Sequence, residues 1–554
     1  MIKRFIISVT ILIVFVACSI AQTVYLSTSN EVYDFLKRME GKGLLVNYQD
    51  AAKPLSRLYI AQQLKKLETV LNQMTVLDRS TYDFYTTEFN YELLVLAGDD
   101  EPSEIRWHIL SHELTGGIIN LDFGFIESAE IAGKLKNTLH TKDVRLFGYV
   151  FNDVGFYFNI DDNKNWGSNL NYLKLHTPQK GVIPSAGIIK SYSWDVTPPV
   201  PTNHLQEIDY DEIDAQLSWR VGAFTFSVEK MNNIWGYGEN GNVILSNKAP
   251  SYPQVKMRVN LSDDIDFVYF HGELNSNVID SMRSYSVGHA GYSSFREVDR
   301  LKYIAAHQIE MRLWNGVEFS IGETVIYSDR GPLLMYLIPV MFFKAGEHYN
   351  GDKDNCQIFG SLDLNLIKNT NLYLSLFIDE INTDKLLDLN VSRKQYSFAF
   401  GGHTYDLLLD NIELIAEYRR SNPAVYSHKF PSTTFTNNGY VLGDWIGQNA
   451  DDIYLSLVYR PIRQLKLSVY NEIYRKGSPL SILDQYTGNV GDFKFLDGQM
   501  HEERMYGLKA HYQPIRDVFF DASIQIHSLK DASDPTMNFN KRLEFTISTS
   551  LGIW

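Results

Sequence analysis

With 554 residues the chain is too long for one ordinary globular core, and its formal net charge of -15 repels polyanions and argues against nucleic acid as a partner. Only Cys18 and Cys356 are present, so once a leader is removed one thiol remains and no internal disulfide can form. The 34 Tyr and 31 Phe occur without any long apolar segment after the first twenty residues, which is how a lipid-facing β-barrel is composed, since only alternate residues meet lipid.

Lys3 and Arg4 precede an unbroken apolar stretch from Phe5 to Val16, followed by the small residues Ala17, Cys18, Ser19 and Ala21. This pattern predicts a secretory signal peptide over residues 1–21 and a mature chain starting at Gln22. Val16-Ala17-Cys18 is half of a lipobox, which leaves acylation of Cys18 open.

From Thr23 to Leu96 the period is helical. Val32, Phe35, Leu36 and Met39 form one stripe behind the capping candidates Ser29 and Asn30 and ahead of Gly41 and Gly43. A second helix follows Pro54 with Ile60, Leu64, Leu67 and Leu71, and a third carries Tyr82, Tyr85, Phe89, Leu93 and Leu96. Together they predict a small bundle over residues 22–104, ended by Asp99-Asp100-Glu101-Pro102.

Beyond residue 105 the period becomes two. Leu362, Leu364 and Leu366 alternate with polar neighbours; so do Ile453, Leu455 and Leu457, and Phe520, Ala522, Ile524 and Ile526. Tight turns are expected at Asn152-Asp153, Gly222, Asp263-Asp264, Asn315-Gly316, Lys368-Asn369, Asp410-Asn411, Arg460-Pro461-Ile462-Arg463 and Gln513-Pro514-Ile515-Arg516, with a longer connection between each pair. Both arms of each turn, a first strand within 105–137 and a last over 541–554 give an all-β transmembrane barrel of about 18 antiparallel strands over 105–554. The terminal Trp554 fits such a strand, although Leu551 and Ile553 are out of register with it. If the tight turns and both ends are periplasmic, the helical bundle is periplasmic and the long loops face outward or fold into the lumen. Leu333 to Phe343 is apolar almost throughout; eleven residues cannot span a bilayer as a helix, and the expectation is that they fold into the lumen as part of a plug.

Trp235-Gly236-Tyr237-Gly238-Glu239-Asn240-Gly241 contains a G-x-G-x-x-G, but Pro250 and Pro253 follow where a dinucleotide site needs a helix, so no nucleotide cofactor is implied. The acidic run Glu207 to Asp214 lacks the spacing of a calcium loop and reads as a solvated loop face, and no metal site is assigned. No G-x-S-x-G, H-E-x-x-H or C-x-x-C stands in a supporting context, so the chain reads as a non-enzyme.

The stretch Val228 to Pro250, with Trp235-Gly236, Gly238, Gly241 and Leu245-Ser246-Asn247 ahead of Ala249-Pro250, resembles the signature of the Wzi family of capsule-attachment proteins. Pro54 to Arg57, Tyr336 to Pro339, Asp354-Asn355 and Ile378 to Glu380 agree with it. The resemblance implies an outer-membrane, lectin-like barrel that holds capsular or other surface polysaccharide on the bacterial cell, with outer-membrane lipid, lipopolysaccharide and polysaccharide export machinery as its other partners. A sugar channel or transporter is the alternative, and a hydrolase embedded in the barrel wall a more distant one. The polysaccharide-binding candidates are Lys230, Trp235, Tyr237, Asn240 and Asn247: aromatic faces to stack on sugars, amides to grip hydroxyls and a cation for an acidic glycan. Gly236, Gly238, Gly241, Ser246 and Pro250 are expected to shape the loop, in which case Trp235 can instead be a plug anchor. Further loop aromatics are Tyr252, Tyr336, Tyr349, Trp445 and Tyr486.

Overall fold

The computed structural model describes residues 23–99, 101–151, 153–167, 207–289, 292–381, 394–478, 482–483, 494–498, 501–531 and 538–552. The leader expected at 1–21, with Cys18, lies outside the described residues, as do Tyr486 and Trp554.

The amino-terminal part holds α1 (Val32–Gly41), α2 (Arg57–Leu67), α3 (Val76–Glu88) and α4 (Asn90–Ala97). Polar side chains start the first two. The Asn30 side-chain Oδ1 accepts the Val32 N–H at 3.0 Å, and the Ser56 hydroxyl accepts the Tyr59 N–H at 3.2 Å. The apolar stripes meet in one core, in which Leu36, Met39, Ile60, Leu64 and Phe89 are fully buried. The expected third helix is two helices, because Phe89 leaves helical geometry (φ -103°, ψ 25°). That pivot buries the Phe89 ring and turns Glu92 toward Arg57, whose Nε donates to it at 2.6 Å.

Eighteen antiparallel strands among the described residues close into a barrel. They are β1 (Gly117–Ala132), β2 (Leu135–Val150), β3 (Val154–Gly167), β4 (Glu207–Val221), β5 (Phe224–Met231), β6 (Tyr252–Ser262), β7 (Ile265–Ile279), β8 (Asp299–Trp314) and β9 (Val317–Ser328). The other half comprises β10 (Asn355–Ile367), β11 (Thr370–Ile381), β12 (Lys394–Tyr405), β13 (Ile412–Ser421), β14 (Ala450–Ile462), β15 (Leu465–Lys476), β16 (His501–Ile515), β17 (Val518–Asp531) and β18 (Asn540–Leu551). Each pairs with the next, and β18 pairs with β1 from Glu544↔Ala132 to Leu551↔Phe125, which leaves no free edge. A short strand, Leu110–Leu114, continues the ladder on β1.

Asn152 lies outside the described residues; the other residues of the eight expected tight turns all lie at one end of this barrel, and the connections 232–251, 280–298, 329–354 and 422–449 join strands at the other. One short turn breaks the expected alternation: Gly133-Lys134 joins β1 to β2 at the long-loop end. The acidic run at Glu207 is not a loop but the start of β4.

Alternation sorts the side chains. Ile453, Leu455 and Leu457 on β14, Ile524 and Ile526 on β17, and Phe545 and Ile547 on β18 are exposed on the outside, while their neighbours Ser456, His527 and Glu544 are buried inside. An apolar exterior around a polar interior suits a barrel in lipid. No described helix is long and apolar enough to cross a membrane.

The helices sit against the turn end. Arg38 of α1 and Lys42 just past its end bond Asp406 in the β12–β13 turn at 2.7 and 2.6 Å, and Arg516 in the β16–β17 turn bonds Glu88 at 2.6 Å. Leu333 to Phe343 departs from expectation. It packs on the outer wall rather than in the lumen, since the lumen is filled by connections 232–251 and 422–449 and the outward aromatics of β7 to β9 offer it a dry surface.

Candidate functional site

β5 has eight residues where β7 has fifteen, so the chain leaves the wall early at Met231 and turns into the barrel. There Ile234-Trp235 forms a two-residue ladder with Ala52-Lys53 of the amino-terminal segment. Trp235 is 1 % exposed, its ring held between Phe270 and Phe359 with centroids 5.2 and 5.8 Å away. Both of those rings point inward from the wall, so Trp235 anchors the loop to it in this structure.

Glycines let the loop turn and pack tightly beyond Trp235. Gly236 adopts φ +82° and donates its N–H to the Ala51 carbonyl at 2.8 Å. Gly238 lies against the Gly241 carbonyl, and Gly241 against the Arg419 guanidinium, where a side chain has no room. Tyr237 donates its N–H to the Ser375 hydroxyl at 2.7 Å, and its ring packs on Tyr373 beneath the Lys37 ammonium at 4.8 Å. The backbone N–H groups of Glu239 and Asn240 donate to Glu417 at 2.6 and 2.9 Å; the Asn240 amide donates to Glu472 at 2.6 Å, and its carbonyl accepts the Trp445 indole N–H at 2.7 Å. Ser246 donates its hydroxyl to the Gly443 carbonyl at 2.5 Å, and the Pro250 carbonyl accepts from Asn437 at 3.0 Å.

Arg419, fully buried, joins this loop to the next. Its guanidinium reaches Asp444 at 2.5 Å, Asp452 at 2.7 Å and Glu417 at 3.1 Å and lies 5.1 Å from the Trp445 ring. Burial raises the Asp444 carboxyl above its ordinary range against the pull of Arg419.

Between the loop, α1 and the walls of β11 to β16 lies a cavity of about 460 Å³. Gly236, Tyr237, Gly238, Gly241, Ser246 and Asn247 line it; Trp235, Asn240, Pro250 and Lys230 do not. Alternation turns Lys230 away from the lumen, since Glu229 beside it is the inward residue, and its ammonium bonds the Ile213 carbonyl and Ser251 at 2.6 Å each. Trp445 also lines the cavity, whereas Tyr252 is buried at the start of β6, Tyr336 is buried on the outer wall and Tyr349 is exposed.

Further lining comes from positions outside the binding candidates read from the sequence: Tyr373, His403, Tyr405, Glu413, Tyr454, Arg460, Lys466 and Lys509 on inward strand faces, with Asp34, Lys37, Asp50 and Lys53 from the amino-terminal segment. Their signal was available as the polar half of each alternating strand, as with Tyr454 and Ser456 between Ile453, Leu455 and Leu457.

Six lining residues are Lys or Arg and four are Asp or Glu. Lys37 meets Asp363 at 2.7 Å, Lys53 meets Asp50 at 3.0 Å and Arg460 meets Glu413 at 2.5 Å. Burial works against the charge on Lys37, but Asp363, Asp50 and Glu40 hold its ammonium well above the ordinary lysine value; Asp50 is held down in turn by Lys37 and Lys53, which outweigh its burial. Lys509 lies 4.3 Å from the Tyr470 ring and Lys248 5.9 Å from the Tyr440 ring, and burial brings Lys248 down to about 8. Tyrosine faces, cations and carboxylates around one polar cavity can grip a hydroxylated, anionic ligand by stacking, charge and hydrogen bonds. Among the described residues no His, Cys, Asp and Glu group is arranged to hold a metal ion.

A comparison with curated protein sequences finds no match. Among solved structures, Wzi of Escherichia coli, described as an outer-membrane protein involved in group 1 capsule assembly and as a carbohydrate-binding β-barrel, aligns with a TM-score of 0.56 at 10% identity over 96% of this chain and 99% of that one. OccK5 (OpdH) of Pseudomonas aeruginosa aligns with a TM-score of 0.40 at 11% identity over 80% and 99%, and OprD of the same organism with 0.40 at 11% over 78% and 93%. The family described as capsule assembly protein Wzi matches residues 176–529, well over half of the chain. The protein is thus a bacterial outer-membrane β-barrel, and it belongs to the capsule assembly protein Wzi family.

Proposed function

We propose that this protein binds capsular or other surface polysaccharide at the outer membrane and so holds or organises it on the cell, and that the glycan is acidic. The observation that carries the reading is the lumenal cavity, where cations outnumber carboxylates and Lys248 and Lys509 stand over tyrosine rings. Family membership in capsule assembly and the carbohydrate binding ascribed to the E. coli barrel support it. The role is retention: the lining is built of gripping groups, and the filled lumen speaks against passage of a long polymer. Outer-membrane lipid and lipopolysaccharide surround the barrel in this reading, and export machinery delivers the glycan.

The test is made in the native host with Lys248→Ala and Lys509→Ala combined, after heat-modifiable gel mobility shows that the barrel assembles. Capsule made and exported but shed into the medium is the expected outcome. Unchanged retention by a folded double variant overturns this cavity as the site.

A further inference from the structure

The outer wall carries polar side chains where lipid is expected. On β7, β8 and β9, alternation directs Tyr269, His271, His307, Glu323 and Tyr327 away from the lumen, and Tyr269, His307 and Glu323 stand side by side as cross-strand partners. His307 is midway along β8 and Glu323 midway along β9. Bare in hydrocarbon, such groups are costly.

They are not bare, because the connection 329–354 folds down the outside of the barrel and covers them. Glu323 accepts the Phe343 N–H at 2.7 Å, the Tyr269 hydroxyl donates to the Tyr336 carbonyl at 2.8 Å, and the Leu333 N–H donates to the Tyr327 hydroxyl at 3.2 Å. The Tyr336 and Phe343 rings are fully buried against the wall, with Phe343 4.5 Å from the His307 ring. Wall and segment are therefore built for each other.

The far side of the segment is the opposite in character. Leu334 and Val340 are 81 % and 80 % exposed, and Ile338 and Phe342 are exposed beside them. From Gly331 to Phe343 there is no charged residue; Arg330 pairs with Asp354 and Lys344 with Glu347 beyond its two ends. Part of its backbone is satisfied by short helical turns, including Tyr336 N–H to the Leu333 carbonyl at 3.0 Å and Met341 N–H to the Ile338 carbonyl at 3.0 Å, part by the wall through Tyr327 and Glu323, while Pro332 and Pro339 have no N–H to satisfy. Hydrogen bonding met within the protein is what a lipid environment demands. The exposed face also runs on into the barrel's own apolar exterior at Ile321 and Ile358, the latter the cross-strand partner of Glu323.

We propose that residues 331–343 form an apolar flap laid against the outside of the barrel within the lipid layer, with the acyl chains of the surrounding membrane as the partner of its exposed face. The flap extends the lipid-contacting surface and seals a polar patch of wall from hydrocarbon.

The test places nitroxide labels on the purified full-length barrel in dimyristoylphosphatidylcholine vesicles. Val340→Cys reports the flap, Ile547→Cys the outer wall, and Met282→Cys, 95 % exposed in the connection between β7 and β8, the water phase. The parent protein, whose Cys356 is buried under the flap, gives the background labelling. The label at Val340 should collide with dissolved oxygen in preference to a water-soluble nickel chelate, as at Ile547, and the label at Met282 should show the reverse. Collision at Val340 that matches Met282 overturns the proposal. So does dipolar broadening between Val340 labels on neighbouring barrels, which would put a second copy of the chain on that face.

Discussion

At the residue scale the lumen depends on Arg419 and Gly241. Arg419 faces Glu417, Asp444 and Asp452 with no exposure, so replacing it leaves three carboxylates buried without their cation. Arg419→Met is expected to cost about 3–5 kcal/mol, read as a lower temperature at which the fast-migrating folded band is lost on gels. Gly241→Ala should lower that temperature by a smaller step, because its methyl group meets the same guanidinium. Lys248 sets a pH dependence. Burial brings its ammonium down to about 8, so it carries its charge below that pH and loses it above. Affinity for an acidic polysaccharide should therefore fall as pH rises through about 8, and Lys248→Gln should abolish that inflection in titrations on either side of it. At this scale the sequence was partly legible. Gly236 and Gly241 announced a sharply turning loop. Lys230 could not be placed, because the face a strand residue takes depends on a register that one sequence leaves open.

At the element scale the alternation of short turns and long connections was readable because each arises from local chemistry: Gly222, Asn315-Gly316 and Lys368-Asn369 can only turn, and the Leu and Ile of β14 can only face lipid. Where the connections pack was not readable. The segment 232–251 and the stretch around Ala52 find each other from 183 residues apart (Ala52↔Trp235), a pairing with no local signal. Leu333 to Phe343 leaves water, as an apolar run must, but it goes to the outer wall and not to the lumen; composition does not distinguish the two, since the wall is as dry as the interior. The third helix breaks at Phe89, and beyond the break Glu92 serves Arg57, a contact between helices that periodicity within one cannot show. These packed elements predict poor conductance. With connections 232–251 and 422–449 and the Ala52 segment in the lumen, the reconstituted barrel should pass little current in planar bilayers. Steady conductance of porin size would favour the channel alternative.

At the scale of the whole molecule, a net charge of -15 and a cavity suited to an anionic glycan stand in tension. Distance resolves it: at physiological salt, charges more than about 8 Å apart are largely screened, so a ligand in the lumen answers to its lining and not to the total. The barrel then serves as a rigid frame that brings α1, the Trp235 loop and six strand faces to one cavity, with the flap outside increasing its hold on lipid. The direct measurement is a binding titration of the purified, detergent-solubilised barrel with the acidic capsular polysaccharide of its host, beside a neutral dextran and beside the folded Lys248→Ala, Lys509→Ala variant. Saturable, salt-sensitive binding of the acidic glycan alone, lost in the variant, is the predicted result. No binding by the native barrel, or equal binding by the variant, would contradict the assignment of the lumenal cavity as a polysaccharide site.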